Sequence, residues 1–288
     1  MVKAKNKFNA VDAVITVVIL LLVVITIVPF MNLISLSLSS NKAILENRNL
    51  LLPKDFTALA YKFILSSRAI YISFLVTLLI TATSTVFNIT VTIITGYVLS
   101  VKGLPFRRGM MLFVLITMVF SGGLIPTYLI ISSLKLIDTF WVLTLPGAVS
   151  AYSIFLMKNF IIQIPESLRD AAQIDGAGPI RVLLHVIVPL SVPIIATLAL
   201  FCAVGKWNDW FSAVIYIKKQ RWLIPIQTLL QNLVVNIDTG ANTDINMGEL
   251  SEAYQSALIV VSILPIVIAY PFVQKYFVKG MFIGSVKE

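Results

Sequence analysis

Lys206, Trp207, Asn208 and Asp209 follow one another inside an otherwise apolar stretch, Pro189 to Ile217. An ammonium, an indole, a carboxamide and a carboxylate in succession can hydrogen-bond the hydroxyls of a polar solute and stack on a sugar ring. Lys206 and Asp209 are three residues apart, on one helix face. Ionisable groups within a span usually face a bundle interior or an aqueous cavity. The same residues also fit a mutually neutralised pair near the outer interface, with Trp207, Trp210 and Tyr216 in an aromatic belt. The belt suits Tyr216 best.

A second cluster, Asp170-Ala171-Ala172-Gln173-Ile174-Asp175-Gly176, offers recognition chemistry rather than catalysis. Pro165 favours a helix start at Glu166, with acids in its first turn. Gly176-Ala177-Gly178-Pro179 ends that helix, because glycine takes a positive φ and proline cannot continue the ladder. A further helix, Ile180 to Val188, then leads to Pro189. Small alanines admit a docked surface closely, and the carboxylates offer partners to Arg or Lys. An ordinary amphipathic interfacial loop would use the same residues.

The chain holds one cysteine, Cys202, and one histidine, His185. No internal disulfide or thiolate metal site can be built from one sulfur. No catalytic residue and no metal ligand set is expected. The phosphate-binding pattern G-x-x-x-x-G-K-[ST] is absent as well, so this chain cannot supply nucleotide chemistry.

The elements that must position these clusters are membrane spans. Of 288 residues, 58% are hydrophobic and only 12% charged, with a mean hydropathy of +0.95. Soluble domains carry about 25% charged residues. The net charge of +9 is therefore read as topology signals and lipid contacts, not nucleic-acid binding. A span takes about 20 apolar residues. Runs of this kind give spans at about 13–38, 71–99, 109–131, 140–157, 189–217 and 253–274, the fourth being short. The first run is too long for a secretory signal and is expected to be retained. Lys3, Lys5 and Lys7, with Lys102, Arg107 and Arg108 in a short loop, place the N-terminus and the 100–108 loop in the cytoplasm. The loop 158–188 is then cytoplasmic, and loops 38–70 and 218–252 are external. One integral membrane domain over 1–288 is expected. Gly122, Gly123 and Pro126 predict a bend or close helix packing in the third span.

The 170–176 segment resembles the EAA loop of ABC importer permeases, written E-A-A-x-x-x-G with I-x-L-P some residues later. Here the later part reads Ile187-Val188-Pro189. The A-A-x-x-D-G-A form is similar to the maltose-type carbohydrate-uptake permeases. So are the P-L-S-x-P after it, the Trp207–Trp210 run and the tail 279-KGMFIGSVKE-288. The resemblance covers most of the chain. It implies an all-α integral membrane fold of six transmembrane helices with a cytoplasmic coupling helix. Glu166, Asp170, Ala171, Ala172, Asp175, Gly176 and Pro189 would serve ATPase coupling, and Lys206, Trp207, Asn208 and Asp209 the substrate pathway. Asp170 is a methylene shorter than the usual Glu, and Glu166, one turn earlier, offers a second contact.

The resemblance also implies the partners. These are a second, non-identical permease subunit, two ATPase subunits that carry the ATP and Mg, an extracellular solute-binding protein, a di- or oligosaccharide, and membrane lipids. No cofactor is expected in this chain. The setting is the bacterial cytoplasmic membrane, crossed several times, with both termini cytoplasmic. The external loop 218–252 would meet the binding protein, and the tail 279–288 would reach between the ATPases. The rival readings are an ABC permease for a non-sugar solute, an ion-coupled secondary transporter and an intramembrane enzyme. The second needs buried acids along several spans, and only Asp209 qualifies. One His and one Cys scarcely serve the third.

Overall fold

Hydrocarbon offers no water to backbone N–H and C=O groups, so a chain this apolar satisfies them within helices. The computed structural model describes residues 10–239 and 252–285, and among these there is no strand. The helices α1 (Ala10–Ser37), α2 (Asn41–Glu46), α3 (Leu59–Ser66) and α4 (Arg68–Ser100) come first. Next are α5 (Arg107–Val119), α6 (Leu124–Ser133), α7 (Phe140–Thr144) and α8 (Ala151–Gln163). Then come α9 (Glu166–Ile174), α10 (Pro179–Val182), a π-helical turn (Leu183–Ile187), α11 (Val188–Leu190) and α12 (Val192–Trp207). The last are α13 (Phe211–Tyr216), a 3-10 turn (Arg221–Leu223), α14 (Ile226–Thr239) and α15 (Glu252–Ser285). Part of the segment 218–252, expected as an external loop, and of the tail, residues 240–251 and 286–288, lies outside the described residues.

The described chain forms two compact units, residues 1–70 with 232–263 and residues 71–231 with 264–288. In the first unit, α1 is apolar all round, and residues 11–31 are exposed along their whole length. Such a helix is made for lipid or a neighbouring span. The segment after it is ordered by polar contacts. Asn32 Nδ2 donates to the carbonyls of Arg48 and Leu50, each at 3.0 Å. The Ser37 and Tyr61 hydroxyls lie 2.8 Å apart, Arg48 pairs with Glu252, and Phe63 meets Tyr254 edge-on at 5.3 Å.

Among the described residues three helical stretches are individually long and apolar enough to cross a membrane: Val11–Ser37, Arg68–Ser100 and Glu252–Pro271. Two bent pairs raise the number to five, α5 with α6 at 113° and Pro179–Leu190 with α12 at 80°. Helix length alone therefore does not return the six spans read from hydropathy. The bend expected near Gly122 and Gly123 is present, with Gly123 at φ +86° capping α6.

The 140–157 run is divided into α7 and α8 by residues 145–150. Pro146 has no N–H to give the Val142 carbonyl, and Gly147 turns out at φ +71°, a conformation costly for other residues. Ser150 starts the next helix by accepting the Ser153 N–H at 3.2 Å.

The second unit holds two apolar clusters. One gathers Val76, Ile80, Ile131, Val142, Leu143, Ala213 and Tyr216. The other gathers Met157, Ile161, Ile164, Val182, Ile187 and Leu198. Close packing in the latter depends on Gly96. A Cβ there would lie 2.7 Å from Met157 Cγ and 3.2 Å from the Lys158 nitrogen, so α4 meets α8 through a position that admits no side chain.

Candidate functional site

The nine residues of α9 bury none of their side chains. Leu168 is 44% exposed and Ile174 86%, and between them Asp170 and Ala171 are exposed too. Ala172 is half-buried and turns inward, packing with Ala177 on the cluster of Ile161, Val182 and Ile187. The helix thus has one anchored edge and a broad free face.

Its C-terminus closes on its own backbone. The Ala177 N–H reaches the Ala172 carbonyl and the Gly176 N–H that of Gln173, each at 2.9 Å. With Gly176 at φ +79° this is a Schellman motif, and its accompanying apolar contact is the Ala172–Ala177 pair. No heavy atom lies within 4 Å of a Cβ built at Gly176. The constraint there is backbone conformation, not space.

Two side chains hold α9 against the rest of the unit. Glu166 Oε2 accepts from Lys102 Nζ at 2.6 Å. That hydrogen bond and the Lys102 charge keep the exposed Glu166 carboxyl below its ordinary pKa. Arg169 Nη2 donates to the Ile161 carbonyl at 2.6 Å, in the last turn of α8. Lys102, Glu166, Arg169 and Asp170 line a cleft of about 290 Å³ together with Tyr97 and Gln173. Glu166 is thus a brace within this chain. Among the described residues no hydrogen bond or ion pair engages the side chains of Asp170 and Asp175, both exposed.

Pro189 is exposed within α11, two residues past the π-helical turn. It has no N–H for the His185 carbonyl four residues earlier, and the widened turn falls where that bond is missing. His185 Nδ1 lies 3.2 Å from the Arg181 carbonyl.

The structure divides the Lys206–Asp209 quartet. Lys206 and Asp209 line a cleft of about 640 Å³, along with Asn88, Pro146, Ser150 and Tyr152. Trp207 is only 6% exposed and packs edge-on to Phe74 at 5.5 Å, in the core rather than on the cleft. Asn208 caps the end of α12 and donates from Nδ2 to the Val204 carbonyl at 2.9 Å. Tyr216 is buried, stacks on Tyr128 at 6.1 Å and touches the cleft.

Both cleft charges serve the backbone. Lys206 Nζ donates to the carbonyls of Leu143 (3.2 Å) and Pro146 (3.1 Å) and lies 3.9 Å from Asp209 Oδ2. Asp209 accepts the Ser212 N–H at 3.1 Å and its hydroxyl at 2.6 Å, tying down the first turn of α13. No group of three His, Cys, Asp or Glu side chains able to hold a metal occurs among the described residues.

Lys102, Arg169 and Asn88 were not singled out as site residues from sequence. Lys102 reads there as a topology marker. A lone carboxamide in the span 71–99 was the available sign for Asn88.

The chain is 37% identical over 274 residues to the polygalacturonan/rhamnogalacturonan transport system permease protein YtcP of Bacillus subtilis, covering 93% of this chain and 95% of the relative. It is 39% identical over 267 residues to Protein LplC of the same organism, covering 91% and 90%. Its fold matches a solved structure of a bacterial ABC transporter involved in the import of the acidic polysaccharide alginate. That match has a TM-score of 0.87 at 30% identity, over 96% of this chain and 100% of the other. Residues 2–283 match the family described as binding-protein-dependent transport system inner membrane component, and the chain belongs to that family of multi-pass membrane permeases.

Proposed function

We propose that this permease forms half of the translocation pathway of an ATP-driven importer for a di- or oligosaccharide. The observation that carries the coupling part is α9. It is a helix braced at Glu166 and Arg169, closed at Gly176, and free along the face bearing Leu168, Asp170, Ala171 and Ile174. Exposed apolar residues with an unpaired carboxylate suit a protein partner with a basic or amide-lined cleft. That partner is an ATPase subunit holding ATP and Mg, and there are two of them, one docked here and one on a second, non-identical permease. Pro189 and the bend at Ser191 join this surface to α12.

The saccharide reading rests on the substrates named for YtcP and for the alginate transporter. Both are polymers of hydroxyl-rich sugars, and the cleft offers Asn88, Ser150, Tyr152 and Ser212 at its wall. Lys206 and Asp209 border the pathway. Trp207 and Asn208 act behind it, through packing and helix capping. An extracellular binding protein delivers the solute to the side of Lys218, Lys219, Arg221 and the loop to 252. Both termini are cytoplasmic, and the tail 279–288 lies among the ATPases.

Charge reversal at the free carboxylate tests the coupling reading. In membranes from cells co-producing the partner subunits, Asp170→Arg is expected to abolish uptake and reduce co-purification of the ATPases. Retention of both at wild-type level would refute docking through α9. A panel of labelled neutral and uronate oligosaccharides, with a sugar-free polar solute as control, tests the substrate class in the same membranes.

A further inference from the structure

We propose that the break at residues 145–150 is a hinge in the translocation cycle, and that Ser84, Asn88 and Lys206 are positioning residues that hold it. The inference rests on the importer reading above.

The break leaves carbonyls that no helical N–H reaches. Side chains from two other helices meet four of them. Ser84 Oγ donates to Thr144 (3.4 Å) and Asn88 Nδ2 to Ala148 (2.7 Å), both from α4. Lys206, from α12, covers Leu143 and Pro146. The Leu145 carbonyl takes the Ala148 N–H at 3.0 Å. Each cap is a single side chain, and Gly147 has no atom within 4 Å of a Cβ position.

What lies to either side explains why the break is there. The α7 half is anchored through Val142 and Leu143 in one apolar cluster. The α8 half is anchored through Met157 and Ile161 in the other. The same division runs through the neighbours. On α4, Val76 and Ile80 belong to the first cluster, while Ile89 and Ile93 pack on the second. On the α12–α13 segment, Leu198 belongs to the second and Ala213 to the first.

Between the two clusters each of these elements contributes polar groups: Thr81, Ser84, Thr85 and Asn88 on α4, Ser150 and the capped carbonyls of the break, and Lys206 with Asp209. Thr81 Oγ1 and Asn88 Oδ1 are buried there without a hydrogen-bond partner among the described residues. A mid-layer with spare hydrogen-bonding capacity can exchange partners; an apolar one cannot. The 640 Å³ cleft opens on this layer. Motion of α9 reaches it directly, because Arg169 ties α9 to the end of α8. Displacement of α8 about Gly147 reshapes the cleft wall at Pro146 and Ser150 while α7 stays with its cluster.

Spin-label distances in the assembled transporter, reconstituted in nanodiscs, test this. Trp141→Cys on α7 and Ile162→Cys on α8 are both at exposed positions, 52% and 45%. They are labelled as a pair after Cys202→Ala removes the native thiol. Tyr152→Cys with Ile162→Cys, both within α8, is the control. Between the nucleotide-free and MgATP–vanadate states the 141–162 distance is expected to shift, while the 152–162 distance stays fixed. Lys206→Met should broaden the 141–162 distribution in the nucleotide-free state, since two caps are lost at once. An unchanged 141–162 distance in a labelled transporter that still takes up sugar overturns the hinge alone. Absence of ATP-driven uptake in the unlabelled wild type overturns the importer reading with it.

Discussion

At Gly176 the chain leaves α9 on its own backbone, whereas at Gly147 it leaves α7 under side chains sent from α4 and α12. Both glycines have positive φ, +79° and +71°, and neither has a neighbour within 4 Å of a Cβ position. The first turn is closed by N–H groups two and one residues beyond the cap, so six consecutive residues contain all of its closing hydrogen bonds. The order of the second is distributed over residues about sixty positions away on both sides. A turn that closes on itself makes a firm edge, suited to a surface that must push. A turn closed by others changes when they move.

If that contrast is right, the largest effect should come from removing the shared caps. Lys206→Met keeps the stem and deletes the ammonium, leaving the Leu143 and Pro146 carbonyls without their donor. At about 1–3 kcal/mol for each orphaned buried group, thermal unfolding of the assembled transporter should move to markedly lower temperature. Amide exchange should rise at 145–150 and not at 175–178. Equal protection at both turns would mean that the Gly147 break carries its own order after all.

A smaller and more local loss is expected at Gly176. A β-branched side chain in the left-handed region costs about 1–2 kcal/mol, so Gly176→Val should cut uptake about tenfold at an unchanged membrane level. Gly176→Asn, which tolerates that region, should retain most of it. Similar uptake for the two variants would show that space, not φ, governs the position.

The smallest effect belongs to Glu166→Gln. The Lys102–Glu166 pair is well exposed, 74% and 60%, and exposed pairs contribute little to stability. Its carboxyl titrates below the ordinary range in the folded protein. The brace is therefore fully present above the unfolded-state pKa and is lost only as pH falls through the depressed value. Amide exchange in α9 should be insensitive to pH near neutrality, rise on acidification, and lose that acid-dependent rise in Glu166→Gln. High salt should mimic the substitution, and a variant indistinguishable from wild type at every pH would remove Glu166 from the brace.

The same contrast decides how much of the molecule was legible in sequence. Asp170 to Pro179 could be read as a helix, its cap and the next helix start, because the hydrogen bonds that close the turn are local. The bend at Gly122 and Gly123 was legible for the same reason. The division of 140–157 was hidden. Pro146-Gly147 was visible, but whether the carbonyls around it could be satisfied depends on Ser84, Asn88 and Lys206, which no local pattern connects. Lys206 and Asp209 line one cleft, a position that charge within an apolar run suggests. Their backbone partners, and the inward turn of Trp207 onto Phe74, are tertiary facts. The segment read as a loop from 38 to 70 proved to hold α2 and α3, too short for a periodic signal to emerge.

Sixty residues separate Pro146 from the ammonium that covers its carbonyl, and this bears on how the protein is made. Synthesis runs from the N-terminus, so Ser84 and Asn88 are already in place when the break emerges, and Lys206 is not. Until α12 follows, two carbonyls of a short, interrupted segment remain uncovered, and α8, at 13 residues or about 20 Å, cannot span the bilayer alone. The last two caps of the break therefore come from a helix made after it.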